Sequence, residues 1–131
     1  MRANRCRALI VEDDADASAA FANMLALLGH QVTVVSTAGE AIALLRANPY
    51  DALILDLVLP DENGMVVLRE VRERELPVKV AVVTALFDDD QSPRFGGIQP
   101  DMLFKKPVDA PALAGWIAES GKCGQAGNRP S

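Results

Sequence analysis

An α/β fold, one parallel sheet covered by helices on both faces, is predicted by three features of the sequence. Short apolar runs alternate with segments of about ten residues that carry a helical stripe, the pattern of repeated strand–helix units. The run Ala-Leu-Ile-Leu before Asp56 is continuously apolar, as in a strand buried on both sides. The length, 131 residues, is that of one domain with a real core.

The elements follow in order. Arg7–Glu12 holds Ala-Leu-Ile-Val, a short buried strand, and Asp14 or Asp16 is placed to cap the helix after it. Phe21, Met24, Leu25 and Leu28 form one helical stripe, and Gly29 ends that helix. Gln31–Ser36, rich in valine, reads as the second strand. Ala38, Ala41, Ile42 and Leu45 repeat the helical stripe until Asn48-Pro49 breaks it. Asp51–Leu57 is the third strand, and Pro60 with Gly64 defines the loop that follows. Met65–Glu75 is a helix with Val67, Leu68 and Val71 inward; its charges Arg69, Glu70, Arg72, Glu73 and Arg74 read as a solvated face. Lys79–Ala85 and Met102–Lys106 supply the fourth and fifth strands. Pro111–Ser120 carries the last helix, with Leu113, Trp116 and Ile117 on one side. The tail Gly121–Ser131, small, polar and broken by Gly and Pro, reads as disordered or as a linker stub.

Composition excludes several classes. Half the residues are hydrophobic and 24% are charged, ordinary values for a globular protein, and no apolar run has membrane-spanning length. MRANRC leads into ALIV without a cleavage-site pattern, so a cytoplasmic location is expected. Cys6 and Cys123 stand outside any CxxC spacing and read as reduced thiols. With a net charge of −5 and no basic cluster, direct binding to nucleic acid or to an anionic membrane is not expected. His30, the single histidine, reads as an exposed residue after the helix.

In an open parallel sheet, sites form at the carboxyl ends of the strands. Here those ends carry Glu12 and Asp13, Asp56, Thr84 and Lys106. Each has a bland explanation by itself: a cap, a strand former, a surface charge. Together they place three carboxylates, a hydroxyl and an ammonium on one edge. Two unit charges about 4 Å apart repel by roughly 4 kcal/mol at an effective dielectric near 20, so three carboxylates require counter-charge. Oxygen-only donors of this kind suit Mg²⁺, which takes one or two carboxylates, waters and a phosphate oxygen. With the charge neutralised by metal and by Lys106, Asp56 is competent as a nucleophile toward phosphorus, and Thr84 and Lys106 are suited to the new phosphoryl oxygens.

The segments IVEDD (Ile10–Asp14), LDLVLPDENG (Leu55–Gly64), VVTA (Val82–Ala85) and KKPV (Lys105–Val108), in this order, resemble the receiver domain of bacterial two-component response regulators. The resemblance covers Arg7 to about Ser120, so residues 1–120 read as a receiver domain and 121–131 as its tail. It implies a flavodoxin-like, doubly wound five-stranded sheet of order 2-1-3-4-5. It implies that Asp56 is the phosphoacceptor, Asp13 a direct Mg²⁺ ligand and Glu12 a ligand through water. The backbone carbonyl of Val58 would be the third protein ligand. Thr84 would be the switch hydroxyl and Lys106 the phosphate-pairing lysine, with Lys106-Pro107 a cis candidate. The implied partners are a sensor histidine kinase or phosphotransfer protein upstream and a protein target or linked effector domain downstream. The chain would be a monomer or weak dimer and would not turn over a separate substrate.

The sequence also departs from that pattern. Leu103 stands where the family commonly has Tyr or Phe, and Phe104 would point to the other face of its strand. Phe87–Asp101 contains Pro93, Gly96, Gly97 and Pro100, so the helix expected there is short or irregular. Val58 and Leu86, two residues after Asp56 and Thr84, cannot hydrogen-bond a water, which implies slow self-dephosphorylation. Three other readings compete. An aspartyl-phosphate phosphatase would carry Asp-x-Asp where this chain has Asp56-Leu57-Val58. A degenerate receiver acting only as an interaction module is disfavoured by the complete set of acids with Thr84 and Lys106. A dinucleotide-binding domain lacks its glycine-rich turn, since VEDDAD follows strand one.

Overall fold

Each apolar run becomes a strand and each striped segment a helix in the computed structural model, which describes residues 6–85 and 98–119. The elements are β1 (Arg7–Val11), α1 (Ala15–Leu27), β2 (Gln31–Val35), α2 (Ala38–Ala47), β3 (Ala52–Asp56), α3 (Met65–Glu73), β4 (Lys79–Thr84), β5 (Met102–Lys105) and α4 (Ala110–Glu119). All four strand pairings are parallel and the sheet order is β2-β1-β3-β4-β5, as expected for the flavodoxin-like arrangement. β3 is central and buried at every residue, which its unbroken apolar run requires.

Successive strand residues point to opposite faces and so build two cores. Leu9, Val11, Leu53, Leu55, Val80 and Val82 face α2 and α3, meeting Ala41, Leu45, Val67, Leu68 and Val71. Ala8, Ile10, Ala52, Ile54 and Val83 face the other way, toward Phe21 and Leu25 of α1 and Leu113 and Ile117 of α4. On β5, Leu103 packs toward the first core and Phe104 toward the second, so the aromatic ring does face away from the Leu103 side.

Several local expectations need correction. Asp14, rather than Asp16, caps α1, accepting from the Ala17 N–H at 3.1 Å. Leu28 is not part of the buried stripe: the helix closes at Leu27, and Leu28, in the cap position, is 56% exposed. Gly29 then takes a positive φ of 96° and turns the chain back. That turn buries His30 instead of exposing it, and its Nδ1 accepts the Cys6 N–H at 2.9 Å. The face of α3 is more than solvated charge. Glu70 pairs with Arg46 of α2 and Arg74, and Arg72 donates to the Gln99 carbonyl at 2.8 Å and to Asp101 at 3.2 Å. Cys6 is buried and disulfide-bonded, not a reduced thiol. Sequence spacing carries no information on spatial approach: Cys6 shares a core cluster with Leu113 and Ile117 of α4, more than a hundred residues along the chain. Cys123, the tail Gly121–Ser131, Leu86 and the stretch 86–97 with its expected irregular helix lie outside the described residues.

Candidate functional site

The parallel register brings the strand ends to one edge. Asp56, the last residue of β3, pairs with Val83, and Thr84, the last of β4, pairs with Lys105. Glu12 follows β1 directly and is fixed by its N–H donating to the Val35 carbonyl at 3.0 Å. Lys106 follows β5, its N–H donating to the Thr84 carbonyl at 3.0 Å. The peptide bond Lys106-Pro107 is cis. The backbone thus brings Glu12, Asp56, Thr84 and Lys106 to this edge.

Their burial differs sharply. Glu12 and Asp56 are each 4% exposed and Thr84 is fully buried, whereas Asp13 is exposed and Val58 is 53% exposed. Two acids buried this far need compensation. The Lys106 ammonium supplies it, standing 3.0 Å from Glu12 Oε1 and 3.0 Å from Asp56 Oδ2. The remaining oxygens are also served: Asp56 Oδ1 accepts the Val58 N–H at 3.0 Å, and Glu12 Oε2 accepts the Asp14 N–H at 3.2 Å.

Burial pushes the Glu12 carboxyl above its ordinary value; the Lys106 pairing opposes this and the neighbouring Asp56 adds to it. Burial alone would lower the Lys106 ammonium, but hydrogen bonds and charge from Asp56 and Glu12 outweigh it and hold Lys106 above its ordinary value. Glu12, Asp13 and Asp56 each offer one oxygen within 4.8 Å of the others, the only such acidic group among the described residues. A cluster of carboxylate oxygens is the donor set a hard divalent cation takes.

The loop after β3 is shaped for close approach. Val58 and Asn63 form an isolated antiparallel bridge, and the Gly64 N–H donates to the Leu57 carbonyl at 2.8 Å. A Cβ on Gly64 would stand 2.3 Å from the Asp56 carbonyl oxygen and 2.9 Å from Leu57 Cα, so only glycine fits against the backbone of the acidic strand end. The sequence marks Gly64 as a loop residue, but this backbone contact is tertiary. Asp61 is a further participant with no sequence signal beyond its place in a turn. Its carboxylate accepts the Ala38 and Gly39 N–H groups at 2.9 and 3.0 Å.

Comparison with known proteins matches this arrangement. Over 99 residues the chain is 32% identical to the aerobic respiration control sensor protein ArcB of Escherichia coli, covering 72% of this chain and 12% of that one. Over 84 residues it is 33% identical to the transcriptional regulatory protein TcrA of Mycobacterium tuberculosis, covering 64% of this chain and 33% of that one. The chain thus spans only a minor part of the curated relatives it matches. Among solved structures, the receiver domain of a sensor histidine kinase from Pseudomonas aeruginosa aligns with a TM-score of 0.76 at 26% identity, over 88% of this chain and 96% of that one. That crystal structure has a magnesium ion coordinated in its active site cleft. The sequence model of the response regulator receiver domain matches residues 8–118, nearly the whole described fold and every strand-end residue of the site, and the chain belongs to that family.

Proposed function

We propose that this chain is a phospho-accepting switch of a two-component system, with Asp56 as the acceptor. The observation that carries this reading is the bridging of Asp56 and Glu12 by Lys106, whose ammonium stands 3.0 Å from an oxygen of each buried acid at the strand ends. Glu12, Asp13, Asp56 and the Val58 carbonyl would hold Mg²⁺, in keeping with the oxygen donor set. When bound, the ion supplies charge neutralisation for phosphoryl oxygens.

The chain's own residues do the rest. An Asp56 oxygen attacks phosphorus, the new O–P bond forms as the N–P bond of a phosphohistidine breaks, and the electron pair leaves with the imidazole, which takes a proton from water. Thr84 donates to one phosphoryl oxygen, and Lys106 pairs with another as its contact with Asp56 is replaced. Val58 is half exposed and aliphatic and offers no acid or base at the position where an aspartyl-phosphate phosphatase carries its second Asp, which supports a chain that acts on itself and loses phosphate slowly. The donor is a histidine kinase or phosphotransfer protein, and the output is a changed protein-binding surface or a linked effector. The relatives, a sensor protein and a transcriptional regulator, support both settings. No helix among the described residues is long and apolar enough to cross a membrane. We place the domain in the cytoplasm on the strength of its proposed phosphohistidine donor.

Intact-mass measurement after incubation with acetyl phosphate and Mg²⁺ tests the reading. The native chain should gain one phosphoryl group and Asp56→Asn none, with the fold unchanged by circular dichroism. Uptake at a normal rate by the Asn variant would overturn the assignment.

A further inference from the structure

The β3–α3 loop is tied to α2 by one side chain. The first three N–H groups of a helix have no partner within it. In α2 the third, Glu40 N–H, goes to Thr37 Oγ1 at 3.1 Å, an ordinary local cap. The first two, Ala38 and Gly39, go to Asp61 Oδ1 and Oδ2 at 2.9 and 3.0 Å, from a loop more than twenty residues further along the chain. The carboxylate also faces the positive end of the helix dipole.

What this tie connects is specific. Asp61 lies between Val58 and Asn63, which close the loop through their bridge. On the other side, α2 follows β2, whose Val35 carbonyl accepts the Glu12 N–H at 3.0 Å. Two backbone segments of the candidate metal site, the one bearing Val58 and the one bearing Glu12, are therefore cross-linked through α2 and Asp61. Leu57 and Leu59 anchor the loop in the core from beneath, but the exposed tip has no other side-chain tie to α2 among the described residues.

We propose that Asp61 is a positioning residue that holds the Val58 carbonyl in register with Glu12 and Asp13, so that the donors are set before a cation arrives. The proposal rests on the metal-binding reading above. Groups that orient metal ligands without touching the ion commonly change affinity by 10- to 100-fold when removed, about tenfold being expected here.

The test compares two variants of the full chain by isothermal titration with Mg²⁺, and by the amide hydrogen exchange of Val58–Gly64 without metal. Asp61→Ala removes the tie between loop and helix. Thr37→Ala removes a cap from the same helix end and leaves the tie in place. Asp61→Ala should weaken Mg²⁺ binding about tenfold and speed exchange in the loop, Asp61→Asn should fall between it and the native chain, and Thr37→Ala should leave both readings unchanged. Equal Mg²⁺ affinity in the native chain and Asp61→Ala, or an equal loss in Thr37→Ala, would overturn the positioning role alone. A native chain that takes no Mg²⁺ would overturn the metal reading and this role with it.

Discussion

The His30 ring accepts the Cys6 N–H through Nδ1, which only the neutral imidazole can do. Burial accordingly lowers the His30 pKa from its ordinary value. Because the folded value is depressed, the unfolded chain binds more protons on acidification. The stability this group contributes is complete above its unfolded value near 6.5 and declines as pH falls through the folded value. One proton limits the slope to about 1.4 kcal/mol per pH unit. Urea unfolding between pH 7.5 and 5 should show this decline in the native chain and a flatter profile in His30→Asn, which keeps an acceptor that does not titrate; parallel profiles would remove His30 as the cause. The sequence places His30 after a helix and says nothing of a bond across 24 residues. The same blindness hides Asp61, whose partners are 22 and 23 residues away. Glu12, Asp56, Thr84 and Lys106 are legible for the opposite reason: a charge or hydroxyl ending an apolar strand in a parallel sheet has one edge to go to.

At the scale of elements, periodicity locates every strand and helix of the described residues, while their ends are decided by caps. α1 stops at Leu27 because Leu28 and Gly29 turn, so the last member of its apparent stripe faces water. α3 ends on a residue the sequence gives no reason to suspect. Glu75 holds a positive φ of 54°, the left-handed cap position usually taken by glycine. A side chain with Cβ is strained there by about 1–2 kcal/mol, partly recovered in a glycine by nothing more than the absence of that atom. Glu75→Gly should therefore raise stability by roughly 0.5–1 kcal/mol, after the greater chain entropy of glycine when unfolded is subtracted. The denaturant midpoint reads this directly; a lower midpoint would mean that the Glu75 side chain stabilises the fold in some way outweighing the strain. The Asp14 cap is local and visible in sequence, whereas the ion pairs of Glu70 and Arg72 join separate elements and turn an apparently solvated face into a fastening.

For the molecule as a whole, the question is how a charge change at Asp56 reaches a partner. Ligand or modification shifts a protein only through an element with two arrangements. Leu103 removes the usual inward-swinging aromatic, and Pro93 with Gly96-Gly97 disfavours helix between β4 and β5. The far end of that connection is secured: Arg72 holds Gln99 and Asp101, and Asp101 accepts the Val80 N–H at 2.7 Å. On addition of a beryllofluoride mimic, amide exchange should change chiefly between Ala85 and Asp101, with the Asp101 end changing least. Uniform helix-like protection with and without the mimic would restore a rigid helix shift instead. The bridging lysine also fixes the charge balance of the site. Three carboxylates and one ammonium leave the site with a formal double negative charge, on a chain whose net charge is already −5. A phosphodonor is itself anionic, and each like-charge approach to about 4 Å costs roughly 4 kcal/mol at an effective dielectric near 20. Under the proposed phospho-accepting role, that repulsion would oppose the donor until a divalent cation cancelled the two charges, so the cation would precede the phosphoryl group.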